Sequence, residues 1–287
     1  MTGPARTIAL IGATSGLGRA AADQLAKQGH NLILVGRDPA RVQRLARQLP
    51  AAVVIGADVS TSAGVGQAAS QIGDAADHLD ALVNNAGVMI PARQTTSEGA
   101  ELNFAVHHLA PYSMTSKLLP LLARGSGRVV NVNSEGHRAP LFGGGPVRID
   151  FDDLDSVHGY DPFLAYSRTK LANLLFSYEL QRRHPELSVA AVHPGMVRTD
   201  LGRHWPRIQV AAMHAVSIST RKGAEPVVSL ATAPAIEHGA YYNRFTATRS
   251  SPESYDQTAA RRLWEITEAL RGSLGQQPDP LDHRDRR

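Results

Sequence analysis

Short apolar runs recur along the chain and alternate with longer stretches whose apolar residues fall three and four apart. Thr7-Ile-Ala-Leu-Ile11, Asn31-Leu-Ile-Leu-Val35, Ala52-Val-Val-Ile-Gly-Ala57, Asp80-Ala-Leu-Val-Asn84, Arg128-Val-Val-Asn-Val132 and Ser188-Val-Ala-Ala-Val192 read as buried strands, and Ala240 to Tyr242 as a seventh. Helical spacing follows the first strand to about Gln28 and a helix begins near Pro39. It returns from about Ser97 to Leu122, where Pro111 and Pro120 should bend or shorten the helix. Phe163 to Leu180, Lys222 to Ala233 and Gln257 to Leu270 are the later helices. This alternation predicts an α/β fold: one doubly wound domain over residues 1–275, with helices on both faces of a mostly parallel sheet of about seven strands. The polar stretch 276–287 is expected to fray as a C-terminal tail. Residues 135–162 form a long irregular segment, and 200–222, with no clear period, read as a lid.

Composition narrows the function classes. The 287 residues are 43% hydrophobic, ample for a buried core, and contain no cysteine, which excludes disulfides, a thiol nucleophile and zinc-thiolate sites; no metal site is expected. The net charge of +4 comes from scattered basic residues, so no nucleic-acid partner is expected. No apolar run approaches the ~20 residues of a membrane span, and Met1 to Arg6 lack a signal peptide's apolar segment, so the expected location is cytoplasmic.

The candidate chemistry lies where strands end. The first strand enters Gly12-Ala13-Thr14-Ser15-Gly16-Leu17-Gly18 and then a helix, the context of a dinucleotide-binding loop: glycines admit a pyrophosphate and the helix N-terminus offers free N–H groups. The spacing G-x-x-x-G-x-G varies the usual fingerprint. After the second strand, Arg37 suits a 2′-phosphate and points to NADP(H); Asp38 keeps NAD(H) open, or caps the next helix. Arg41 is either a second phosphate contact or a solvated helix position. Asp58, before Val59, would accept a bond from an adenine amino group or cap a helix. Asn84-Asn85-Ala86-Gly87 ends the fourth strand, Asn133-Ser134 the fifth, and His193-Pro194-Gly195-Met196-Val197-Arg198-Thr199 follows the sixth. Tyr166 and Lys170 sit one turn apart on one helix face. An ammonium nearby favours the phenolate by roughly 1–3 pKa units, which would make Tyr166 a usable general acid or base.

In this order and spacing the set resembles the short-chain dehydrogenase/reductase family along residues ~7 to 270. Tyr166 to Arg183, the His137 of Ser-Glu-Gly-His and Leu263-Trp264-Glu265 look closest to the retinol-dehydrogenase-like branch. The resemblance implies a Rossmann fold and an NAD(P)-dependent oxidoreductase acting on a small-molecule alcohol or carbonyl. It implies that Tyr166 exchanges a proton with the substrate oxygen, that Ser134 positions that oxygen, and that Lys170 lowers the Tyr166 pKa and holds the nicotinamide ribose. Gly12, Thr14, Ser15, Gly16, Leu17, Gly18, Arg37, Asp58, Val59, Asn85, Ala86, Gly87, Pro194, Gly195, Val197 and Thr199 would contact the cofactor. A homodimer or homotetramer is a family-based expectation. Two positions depart from the pattern. His107 stands where the family commonly has an asparagine that anchors a relay water, a task a neutral imidazole can take, and Asn133 stands where a first serine is usual. His107 motivates an alternative: an NADP(H)-binding sensor or scaffold with little turnover. An isomerase, dehydratase or epimerase on the same fold is a third reading. Leu141, Phe142, Tyr160, Trp205, Ile208 and Met213, from the two irregular segments, and Phe163 beside them, suggest a lipophilic substrate if they line the pocket rather than pack the lid.

Overall fold

A computed structural model describes residues 4–139, 144–198 and 217–274. The expected residues Leu141, Phe142, Thr199, Trp205, Ile208 and Met213, most of the proposed lid and the tail lie outside these segments.

The strands are β1 (Thr7–Ile11), β2 (Asn31–Gly36), β3 (Val53–Gly56), β4 (Ala81–Asn84), β5 (Arg128–Val132), β6 (Ser188–His193), β7 (Ala240–Asn243) and β8 (Thr246–Thr248). They form one sheet in the order β3-β2-β1-β4-β5-β6-β7-β8, parallel except for β8. The sheet thus has eight strands where the sequence pattern gave seven. β8 is short and fully exposed, so it carries no apolar signal, and it returns from β7 through Arg244, whose φ is +56°.

The helices are α1 (Gly16–Lys27), α2 (Pro39–Gln48), α3 (Ser62–Ala75), α4 (Leu102–Phe104), α5 (Ala110–Arg124), α6 (Pro162–Arg183), α7 (Thr220–Thr232) and α8 (Gln257–Leu274). Alternate residues of each strand serve opposite faces of the sheet. Ile8 and Leu10 of β1 pack with Leu25 of α1, Leu45 of α2 and Val227 of α7. Ala9 and Ile11 pack on the other side with Ile72 of α3, Leu118 of α5 and Phe176 of α6, with Trp264 of α8 completing that layer. Period-2 side chains on a sheet covered by two helical layers give this division.

The long helix expected from Ser97 begins instead at Leu102, capped by the Glu101 carboxylate accepting from the Phe104 N–H at 2.8 Å. It opens into a π turn over Ala105–Leu109 before α5 continues. Pro111 lies just beyond this turn. It has no N–H to give the carbonyl four residues back, that of His107, and the ladder loosens where the bond is missing.

Candidate active site

Every strand end named by the sequence opens on the same edge of the sheet. Strand order reverses between β1 and β4, and the crevice at such a switch point is where ligands bind in open α/β sheets.

The glycine loop is held tightly. The N–H groups of Gly12 and Ala13 both donate to the Val35 carbonyl at 2.9 Å, and Gly12 takes φ +85°. Asn85 Nδ2 donates to the Gly12 carbonyl at 2.8 Å. A Cβ on Gly12 would stand 2.7 Å from Ala86 Cα, and one on Gly36 would stand 2.1 Å from Thr14 Cγ2. Leu17 and Val197 meet at Gly223 of α7, which brings the segment after β6 against the start of α1. Pro194 is buried, and Gly195 turns the chain with φ +95°.

Helix α1 tests whether a dinucleotide fits. Its N-cap, Ser15, makes no side-chain capping bond, and its first turn has no acidic residue. Asp38, Thr61, Asp161 and Ser219 by contrast cap α2, α3, α6 and α7 with their own side chains. A helix end with free N–H groups beside a glycine loop fits a pyrophosphate. Asp38 is occupied: it accepts from the Arg41 N–H at 3.0 Å and pairs with the Arg41 guanidinium at 3.8 Å. Arg37, one residue earlier, is exposed at the end of β2. Asp58 does not cap α3, since Thr61 does; its Oδ1 accepts from the Ser60 N–H and hydroxyl at 3.1 and 2.8 Å. Val59 packs partly buried on the core beside it.

The structure brings Ser134, Tyr166, Lys170 and His107 together. The Ser134 hydroxyl accepts from the Gly136 N–H at 3.2 Å, and a Cβ built on Gly136 would stand 3.5 Å from that hydroxyl and 3.4 Å from the edge of the Tyr166 ring. Lys170 Nζ donates to the Val132 carbonyl at 3.2 Å and lies 5.6 Å from the centre of the Tyr166 ring. The expected lowering of the Tyr166 pKa by Lys170 is absent in the protein alone. Both side chains are more than nine-tenths buried, and burial dominates. It pushes the phenol up to about 12, with the nearby Ser134 hydroxyl opposing the rise, and pulls the Lys170 ammonium down to about 7.

His107 also differs from expectation. It is buried, edge-on to Tyr166 with ring centres 5.4 Å apart. The Val88 N–H donates to Nε2 at 3.1 Å, so the ring proton sits on Nδ1, 2.9 Å from Thr169 Oγ1. Thr169 in turn donates to the Tyr166 carbonyl at 2.8 Å. Burial, and then the Lys170 charge, hold the imidazole well below its usual pKa. Both nitrogens are committed to protein groups, so the ring has neither a proton nor a lone pair for a relay water.

Sequence reasoning passed over Asn173 and gave Asn133 no role. Both are buried and bonded among the site's elements. The available signal was a polar residue at an inward position of a strand end and of an otherwise apolar helix face, where a side chain needs a partner.

Comparison with known proteins gives the family. A family model described as short chain dehydrogenase matches residues 6–146. Human retinol dehydrogenase 14 is 35% identical over 300 residues, covering 94% of this chain and 87% of its own. A protein of Streptomyces sp. (strain C5), assigned as the daunorubicin C-13 ketoreductase DnrU, is 35% identical over 277 residues, covering 94% and 93%. A crystal structure of an uncharacterized protein from Mycobacterium paratuberculosis superposes with a TM-score of 0.75 at 30% identity, covering 93% of both chains. Among the described residues no helix is long and apolar enough to cross a membrane. The chain therefore belongs to the short-chain dehydrogenase/reductase family, in its retinol-dehydrogenase-like branch, and is an oxidoreductase acting on CH–OH or C=O groups.

Proposed function

We propose that the protein is an NADPH-dependent carbonyl reductase, with Tyr166 as its general acid and a large, mostly apolar substrate. The observation that carries the reading is the convergence of the Ser134 hydroxyl and the Tyr166 ring on Gly136, with Lys170 one turn further along α6. Two hydroxyl-bearing side chains that converge on one point can both reach one substrate oxygen. Ser134 donates a hydrogen bond to the carbonyl oxygen and orients it. Tyr166 gives its phenolic proton to the same oxygen as negative charge develops there. A phenol that is protonated at neutral pH is in the form this step uses. When bound, the reduced nicotinamide supplies the hydride to the carbonyl carbon.

Lys170 binds the nicotinamide ribose hydroxyls and holds the far side of the Tyr166 ring. The free N–H groups at the start of α1, with Gly12, Thr14, Ser15, Gly16, Leu17 and Gly18, hold the pyrophosphate. Asp58, Val59, Asn85, Ala86 and Gly87 take the adenine and its ribose side, and Pro194, Gly195, Val197 and Thr199 the nicotinamide side. Arg37 reads the 2′-phosphate. Preference for NADPH over NADH is supported by the exposed Arg37 and by Asp38, whose carboxylate already serves the first turn of α2.

The substrate class has two supports. Val88, Met89 and Ile90, which follow the Asn85 turn, are buried apolar residues. The Tyr160 hydroxyl already donates to the Ile90 carbonyl at 2.9 Å and accepts from Asn103, so it adds no free polar group. The relatives are named for retinol and for the C-13 position of daunorubicin.

The test is oxidation of NADPH and NADH by the purified protein with a panel of bulky aldehydes and ketones, with Tyr166→Phe alongside. Loss of an acid–base group predicts a fall in kcat of about 10²–10⁴-fold with NADPH affinity retained. An equally active Phe variant would end the mechanism. The filled hydrogen bonds of His107 favour one second reading, an NADP(H) sensor; tight NADPH binding without turnover across the panel would select it.

A further inference from the structure

The two departures from the family pattern, Asn133 and His107, are joined in the structure by a third residue, Asn173. Asn133 follows β5, and its N–H continues the ladder to the Val192 carbonyl at 2.7 Å. Its Oδ1 accepts from the Ser134 N–H at 2.7 Å. Its Nδ2 donates to the Lys170 carbonyl at 3.0 Å and to Asn173 Oδ1 at 2.9 Å. Asn173 Nδ2 then donates to the His107 carbonyl at 2.9 Å, the acceptor for which Pro111 has no N–H. Asn133, Asn173 and His107 are each at most 3% exposed. A buried polar chain with its members paired is rigid, because opening any link strands a donor or acceptor away from water.

We propose that Asn133 and Asn173 are positioning residues for the reaction. They bolt three separate elements into one frame: the Ser134 strand end, the Lys170 turn of α6, and the π turn at His107. Neither side chain touches the reacting atoms. Asn133 acts through the backbones of Ser134 and Lys170, and Asn173 through Asn133 and the His107 carbonyl, fixing where the Ser134 hydroxyl stands relative to Tyr166. The π turn belongs to the same device, because it presents the His107 carbonyl that Asn173 fills.

This inference rests on the proposed reduction, and its test separates the two. Asn133→Ser is the first variant: serine is smaller, still polar, and too short to span to Asn173 and the Lys170 carbonyl. Asn173→Ala and the double variant complete a cycle, each checked by thermal melting, NADPH affinity, and amide hydrogen exchange of residues 133–137. The expected result is a kcat lowered about ten- to a hundredfold, as for a catalytic group displaced by up to ~1 Å, with KM and NADPH affinity unchanged. The double variant should be no worse than the poorer single one, since both cut the same chain. Exchange at the Ser134 amide should quicken in each. Additive losses, or folded variants with wild-type kcat and wild-type exchange, overturn the proposal. If Asn173→Ala does not fold, the kcat and Ser134 exchange of Asn133→Ser alone decide it. If the wild type reduces nothing, the reductase reading fails, and exchange at Ser134 in Asn133→Ser still decides whether the frame exists.

Discussion

Gly18→Ala sets two known effects against each other at one atom. Gly18 is buried in the first turn of α1, where a glycine-to-alanine change ordinarily strengthens a helix by up to ~1 kcal/mol. Here the added Cβ would fall 2.0 Å from the Gly12 carbonyl oxygen and 2.4 Å from Asn85 Nδ2. It lands on both partners of the bond that holds the glycine loop to the turn after β4. Relief requires the Gly12 carbonyl and the Asn85 amide to move by more than an ångström in total, which breaks that bond. Overpacking of this kind costs about 1–3 kcal/mol and the lost bond about 0.5–1.5 kcal/mol, so the clash outweighs the helix gain by roughly 1–3 kcal/mol. For a domain of this size that lowers Tm by roughly 2–10 °C. Because the loop itself is displaced, NADPH affinity should fall by about tenfold or more, a loss of ~1.4 kcal/mol. Differential scanning fluorimetry and NADPH fluorescence titration read the two effects. Gly66→Ala in α3, where a Cβ meets nothing within 4 Å, is the control and should raise Tm slightly. A Gly18→Ala protein that melts as high as the wild type and binds NADPH as tightly would refute the assignment of this loop to the cofactor.

Three other outcomes follow from the site. Arg37→Ala should lower the NADPH-to-NADH preference in kcat/KM on the order of ten- to a hundredfold, the worth of a charge-assisted hydrogen bond, while leaving NADH turnover intact; an unchanged ratio would move the 2′-phosphate contact elsewhere. His107→Asn should destabilise the fold, because asparagine cannot span from the Val88 N–H to Thr169 Oγ1, and an unpaired buried donor costs about 1–3 kcal/mol; a higher Tm would show that the imidazole is not a brace. Lys170→Met should alter how stability depends on pH. The Lys170 pKa is depressed in the fold to about 7 from an unfolded 10.5, so the unfolded chain binds more protons between those values. Lys170 therefore opposes folding fully below about pH 7 and releases that opposition as pH rises toward 10.5. Melting of the cofactor-free wild type from pH 7 to 10 should rise more steeply than that of Lys170→Met, and parallel curves would refute the shift.

The sheet, and the placing of the candidate residues at its strand ends, were legible in the sequence because each depends on local pattern. Apolar runs marked the core strands to within a residue or two, and residues at strand ends converge on one edge in any parallel sheet. β8 escaped because three exposed residues carry no periodicity. The start at Leu102 and the π turn escaped because they depend on long-range partners: Asp155, which accepts from the Glu101 N–H, and Asn173 at the His107 carbonyl. The relay assigned to His107 failed for a related reason. Residue type fixes how many hydrogen bonds an imidazole can make, while the fold decides who makes them, and Val88 and Thr169 lie 19 and 62 residues away. The Tyr166 pKa was misread because sequence spacing reveals a neighbouring charge and hides the depth of burial, here the larger effect.

The Asn85 grip on the Gly12 carbonyl also sets an order of assembly. The two residues are 73 apart, yet β1, α1, β2, α2 and β3 all precede Asn85 in the chain and pair through short crossovers. Local pairings form ahead of distant ones, because closing a long loop costs entropy before its contacts repay it. As the chain leaves the ribosome, the glycine loop is therefore tied first only to Val35 of β2, and it becomes a complete nucleotide cradle when β4 docks beside β1 and Asn85 takes the Gly12 carbonyl. NADPH cannot act as an early template for the first half of the domain. It can only trap a molecule whose centre is already built, so the cofactor should slow unfolding of the finished protein and leave the rate of its first folding steps untouched.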